Sequence, residues 1–444
     1  MEKTSMAAWP IPRRWIAKAV VIVLAGWTIV PRGVAQEGTL AEPFPAPAAN
    51  AALNYQRAML HLAHLDYDEA RPLEKPIWET LPIPVKKQLP REVSRMLQRG
   101  RFAVRAAATG SRIADCNFGI DFSELGAAAR LPHAEGMIRL GRLLALRGAQ
   151  AESQGDWEEA AVVYFDGLRM GRHLTHQNTA IEALAGIEIF RNHYFALARW
   201  ATRCPTRPLV ARAFGLLESM QDTLVHPSQV LAREASVLSL EFDRLQAAYP
   251  EGPWARMILE SFRVEVTGDR AADAARAITV CVEQGVPRET FDDPMAFHDY
   301  VAKLQATALR FTESVAASMT LPPQARLERA RALNRKYSRL IALLASDTLV
   351  DPVELGTLFS EHAAELTLAR LALAVSASKQ DDKFPGSLQD IEDRFGGVVP
   401  LDPYSREPVA YRTLDEARHF ELAIPRLGEL PEVKFTSLAP AAAE

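Results

Sequence analysis

Between residues 131 and 200 the apolar positions recur every three or four residues. Met137, Leu140, Leu144, Gly148 and Ala151 share one face, Gln154-Gly155-Asp156 interrupts the pattern, and Trp157, Ala160, Ala161, Tyr164 and Leu168 restart it. After Asn178 the same period continues through Ile187, Phe190, Tyr194 and Leu197. This spacing predicts three antiparallel amphipathic helices. Upstream, helices are expected over 50–65 and 91–108, on either side of the proline-dense stretch 72–90. Downstream of Cys204-Pro205, further helices should break at His226-Pro227, within 250–253, at Asp292-Asp293-Pro294 and at Leu321-Pro322-Pro323. Residues 326–344 read as a solvated amphipathic helix, and a last long helix should span 352–379.

The pattern then changes. Residues 383–391 read as a turn opening a short helix, and Pro400-Leu401-Asp402-Pro403-Tyr404 as a rigid turn in which Asp402 braces its own backbone. Val409-Ala410-Tyr411-Arg412 and 419–424 alternate as the two strands of a hairpin. The expected fold is mainly α. Antiparallel helical hairpins fill a domain over 50–380, followed by a small α+β module over 381–425 and a tail over 426–444.

Composition adds compartment more than chemistry. The 444 residues are 48% hydrophobic and 24% charged, the balance of a globular chain rather than a disordered or multi-span one. Residues 1–35 hold five basic residues and one acidic, so the net charge of −4 becomes −8 beyond them. Such a body offers no electrostatic footprint for nucleic acid. Arg13, Arg14 and Lys18 precede an apolar run over 19–30, and Gly33-Val34-Ala35 follows, the pattern of a secretory signal cleaved near Ala35. If retained, the segment becomes an N-terminal membrane tether. A proline-rich linker over 36–49 comes next, and the expected location is exported, in the periplasm or cell envelope. Cys116, Cys204 and Cys281 are odd in number and widely spaced, which reads as buried free thiols and leaves one bridge between any two as the alternative.

Three resemblances accompany these patterns. Leu144, Gly148, Ala151, Gly155-Asp156-Trp157, Ala160, Tyr164 and Gly167-Leu168 resemble a tetratricopeptide-type hairpin, which makes the helical part TPR-like in part, although no second copy follows at the family's period. The Phe384-Pro385-Gly386-Ser387-Leu388 turn, the Asp402-Pro403-Tyr404 turn and the Tyr411 strand pair resemble the carboxy-terminal part of type II secretion major pseudopilins. Ser405-Arg406-Glu407-Pro408 lacks the carboxylates of that family's calcium loop. The leader, Cys116-Asn117-Phe118-Gly119-Ile120-Asp121, Leu131-Pro132-His133, the Gly155 hairpin and this ending together resemble a group of uncharacterised exported helical proteins of planctomycete-like bacteria. That resemblance implies compartment and layout, and no activity.

One constellation carries candidate chemistry. Helix ends alternate in an antiparallel hairpin, so His133 could approach His173 and His176, with Cys116 and Asp121 brought in by the preceding loop. These are ligand types for a transition metal such as zinc. His61, His64 and Asp68 form a second group, expected to be structural or solvent-exposed. No Gly-x-Ser-x-Gly elbow, phosphate-cradling loop or dinucleotide fingerprint accompanies them. The expected role is therefore a non-catalytic envelope scaffold without a cofactor that binds a protein or peptide partner, with Trp157 and Tyr164 as its aromatic candidates. A metal-dependent hydrolase built on Cys116, Asp121, His133, His173 and His176 is the alternative, and a secretion-system accessory docking through the terminal module is a third.

Overall fold

A computed structural model describes residues 49–77, 89–125, 131–221, 224–262, 264–338 and 351–437. The expected signal over 1–35, the linker up to residue 48 and residues 438–444 lie outside the described residues.

Helix starts follow local chemistry. Helix α1 (Ala51–Leu62) begins where the Asn50 side chain accepts the Ala52 N–H at 3.0 Å. The helix expected over 91–108 is two, α2 (Arg91–Arg99) and α3 (Arg101–Ser111), because Gly100 is a weak helix former at the point where Leu143 closes in. Then come α4 (Pro132–Gln154), α5 (Trp157–Thr175) and α6 (Ala180–Arg203). Gly155, at φ +80°, ends α4 by turning its N–H to the Glu152 carbonyl at 3.0 Å. Asp156 immediately caps α5 by accepting the Glu159 N–H at 3.1 Å. A Thr179–Glu182 capping box opens α6.

Prolines set most of the remaining starts. The chain continues through α7 (Arg207–Gln221), α8 (Pro227–Ala248), α9 (Pro253–Ser261), α10 (Arg270–Glu283), α11 (Pro294–Ser318), α12 (Pro323–Lys336) and α13 (Pro352–Ala377). Helix α6 packs against α4 and α5 on one side and α13 on the other. The α1/α3 hairpin lies on α4 and α5, so the α4/α5 pair stacks on different partners rather than on a copy of itself. Helices α8 and α11 form a second hairpin, with its own apolar cluster around Val230, Phe242, Phe297 and Phe311. Trp254, Leu259 and Ala277 make a smaller third cluster between α9 and α10.

The carboxy-terminal module contains a 3-10 helix (Gln389–Phe395) and three antiparallel strands, β1 (Ala410–Leu414), β2 (His419–Ile424) and β3 (Val433–Thr436). Tyr411 faces Leu422, which faces Phe435 across the next ladder. Two strands were expected and three are present. Val433-Lys434-Phe435-Thr436 is too short to declare itself beside Pro431, and it gains its order only by pairing with β2. Phe420, Leu422 and Ile424 alternate inward, while Glu421 points outward between Arg412 at 2.7 Å and Lys434 at 2.5 Å.

The module does not have a separate core. Phe384, Leu388, Ile391, Tyr404 and Phe420 belong to the same apolar cluster as α1 to α7 and α13, and residues Asn50–Glu444 form one compact unit. Asp402 braces its turn, accepting the Tyr404 N–H at 2.7 Å and the Ser405 hydroxyl at 2.6 Å. Among the described residues no helix is long and apolar enough to cross a membrane.

Candidate functional site

The loop after α3 returns to the start of α1. The Ala51 N–H donates to the Asp115 carbonyl at 2.8 Å, and the Asn50 amide clasps Asn117, donating at 2.7 Å and accepting at 3.0 Å. This places the loop where α5 ends and α4 and α6 begin. Gln177, just past α5, donates to the carbonyls of Cys116 and His173, both at 2.9 Å. Phe118 stacks on His133 with ring centroids 4.0 Å apart and lies 6.4 Å from Tyr55.

Within this seam the polar side chains pair off. His133 Nε2 lies 2.7 Å from Glu182 Oε1, and the other Glu182 oxygen accepts from Thr179 through its N–H at 3.0 Å and its hydroxyl at 2.8 Å. The Tyr55 hydroxyl and His173 Nδ1 share a hydrogen bond of 2.7 Å. Asp166, fully buried on α5, accepts from Ser111 at 2.9 Å, Arg112 at 2.8 Å and Arg169 at 2.9 Å, tying α3 to α5. From α8, Arg233 donates to the Gln177 carbonyl at 2.6 Å, and Glu234 accepts the Ala180 N–H at 2.7 Å.

Burial sets the charge states. It pulls His173 down to about 4, with the nearby Arg172 and His176 charges adding to the effect. The Cys116 thiol is pushed up to about 12 by burial and then by Glu182, so it stays protonated at neutral pH. Burial also raises Glu234 to about 7.

The five residues expected as metal ligands therefore divide. Cys116, His133 and His173 share the seam. His176 is exposed and its Nδ1 bonds to the Arg172 carbonyl at 2.8 Å, while Asp121, also exposed, accepts from Ser123 and Glu124 to start a one-turn helix (Phe122–Leu125). Among the described residues no group of three or more His, Cys, Asp and Glu side chains is arranged to hold a metal ion. Cys116, Cys204 and Cys281 are free thiols. His64 is exposed, and His61 rests 5.6 Å from the Phe102 ring.

The two aromatic candidates have different surroundings. Tyr164 is fully buried; its hydroxyl donates to Glu152 and accepts from Arg199 at 2.9 Å. Its ring lies within the main apolar cluster, which is core packing. Trp157 is half-buried, with the Arg203 guanidinium 5.9 Å from its ring and its carbonyl accepting the Trp200 indole N–H at 3.0 Å.

Sequence reasoning missed a second polar cluster between α6, α13 and the terminal module. Arg191 Nε donates to Glu365 at 2.8 Å, and its Nη2 lies 3.6 Å from Glu361. Burial raises both carboxyls, Glu365 to about 7, against the pull of Arg191. Tyr404 joins from the Asp402-Pro403-Tyr404 turn, and among the described residues its hydroxyl, Glu361 Oε1 and Glu365 Oε2 have no hydrogen-bond partner. The available signal was Glu361-His362-Ala363-Ala364-Glu365, two acids one turn apart within a helix that is mostly apolar and largely buried.

Compared with known proteins, the chain matches no family model, no curated protein and no solved structure.

Proposed function

We propose that this protein is an exported envelope scaffold that binds a protein or peptide partner without catalysing a reaction. The observation that carries this reading is the pairing within the seam: His133 with Glu182, His173 with Tyr55, and Asp166 with Ser111, Arg112 and Arg169. Each of these pairs except Asp166–Arg169 joins two different elements, and burial keeps the Cys116 thiol protonated at neutral pH. Groups that could do chemistry thus fix helix ends relative to one another, which is what a rigid binding framework needs. A partner would use side chains at the ends and outer faces of the hairpins, the half-buried Trp157 among them.

The test is affinity recovery of the tagged full chain from an envelope fraction, with chemical crosslinking before lysis. One partner should be recovered reproducibly, and Trp157→Ala or Arg203→Glu should lower its yield while the thermal melt stays cooperative. Recovery of the chain alone in replicate experiments would overturn the reading, as would turnover of a substrate that is lost in His133→Ala.

A further inference from the structure

The outer face of the α1/α3 hairpin is apolar and basic at once. The inner positions Tyr55, Ala58, Leu62, Ala103, Ala106 and Ala107 are buried in the core, yet Leu53 and Leu60 remain 60% and 69% exposed and Phe102 47% exposed. Leu53, Arg57 and Leu60 lie four and three positions apart, hence on one stripe of α1. On α3 the Arg101 guanidinium sits 4.8 Å from the Phe102 ring centroid, and Arg105 follows one turn later. Neither helix contains an aspartate or glutamate, in a chain whose net charge is −4.

We propose that this face docks on an anionic lipid surface. Large apolar side chains flanked by arginines, with no acid between them, match the interfacial zone of a bilayer: leucine and phenylalanine enter the acyl boundary while arginine stems extend to phosphate. The sequence immediately upstream points to the same partner. The apolar run over 19–30, with Arg13, Arg14, Lys18 and Arg32 around it, ends only about 20 positions before Asn50. The inference rests on the tethered form of the export reading, in which this run stays in the membrane and α1 is the first described element beyond it.

The unit Asn50–Glu444, which holds all three apolar clusters, allows a test without the tether. It should pellet with vesicles of phosphatidylcholine and phosphatidylglycerol in equal parts, bind pure phosphatidylcholine weakly, and release at high salt. Leu53→Ser with Leu60→Ser should lower binding about tenfold, and Arg57→Glu, a surface change that leaves the fold intact, should do the same. Wild-type failing to bind, or both variants binding equally well, overturns the proposal. So does sedimentation as a dimer that Leu60→Asp dissociates, because the face then belongs to a second copy. Separately, fractionating cells that express the full chain tests the tether itself, and its failure leaves the vesicle result to decide the face alone.

Discussion

Gly148 of α4 makes the room that the Tyr164 ring of α5 occupies: a Cβ at position 148 would stand 2.3 Å from Tyr164 Cε1. The ring has no freedom to retreat, because its hydroxyl is held between Glu152 and Arg199. Gly148→Ala should therefore destabilise the protein by about 3 kcal/mol through overpacking. Gly215, within α7, meets nothing inside 4 Å, so Gly215→Ala should stabilise by about 0.5–1 kcal/mol. Urea denaturation of the two variants checks the opposite signs, and equal effects would mean that close approach does not set the α4/α5 contact.

Two buried tyrosine hydroxyls should respond differently to removal. Tyr55→Phe leaves His173 Nδ1 without its 2.7 Å partner and should cost about 1–2 kcal/mol. The Tyr404 hydroxyl has no hydrogen-bond partner among the described residues and stands beside two carboxyls whose charges raise it further, so Tyr404→Phe should be neutral within about 0.5 kcal/mol or stabilising. Paired denaturation curves decide this, and a larger loss in Tyr404→Phe than in Tyr55→Phe would contradict the assignment.

Stability should carry two opposed pH dependences. His173, His193 and His362 are held near 4 by burial, below the ordinary value of 6.5. Across that window the unfolded chain binds more protons, so their contribution is present above about 6.5 and is lost as pH falls through 4. Glu365 and Glu234, raised from 4.5 to about 7, act in reverse: their contribution is full below about 4.5 and is lost as pH rises through 7. Glu365→Gln removes one opposing group, so its stability relative to wild type should improve between pH 4.5 and 8, on the order of 1–2 kcal/mol because the side chain keeps 18% exposure. A difference that does not change with pH would refute the raised value.

Deleting residues 381–444 should abolish the cooperative melt rather than release a docking piece. Phe384, Tyr404, Phe420 and Leu422 are integral to the main apolar cluster, and their loss uncovers one side of α13. Recovery of a soluble, cooperatively melting 1–380 fragment would show that the module is an appendage.

The helical body was largely legible because helix periodicity is local. Met137 through Ala151 share one buried face, and prolines at 132, 227, 294, 323 and 352 start helices as their fixed φ dictates. Antiparallel order placed His133 and His173 toward one end, where each pairs with a residue the sequence did not single out, Glu182 and Tyr55. What stayed hidden was pairing. Nothing in the sequence says that His173 meets Tyr55 from a helix more than a hundred positions earlier, or that Arg191 reaches Glu365 from the far side of the chain. β3 was unreadable for the same reason, since Val433 and Phe435 acquire their strand only from Ile424 and Leu422 opposite.

The placement of α13 has a consequence for how the chain is made. Helix α6 packs directly on α13, although α7 to α12 all lie between them in sequence, and α13 in turn packs on β2 and β3 near the chain's end. The α4/α5 hairpin closes over the short Gly155-Asp156 turn and can form as soon as it emerges from the ribosome. The apolar flank of α6 must wait for the last stretch to be synthesised. Until then a half-finished chain leaves Phe190 and Tyr194 without the His362 ring that packs on both, so closure of the core on this flank waits for the final hundred residues.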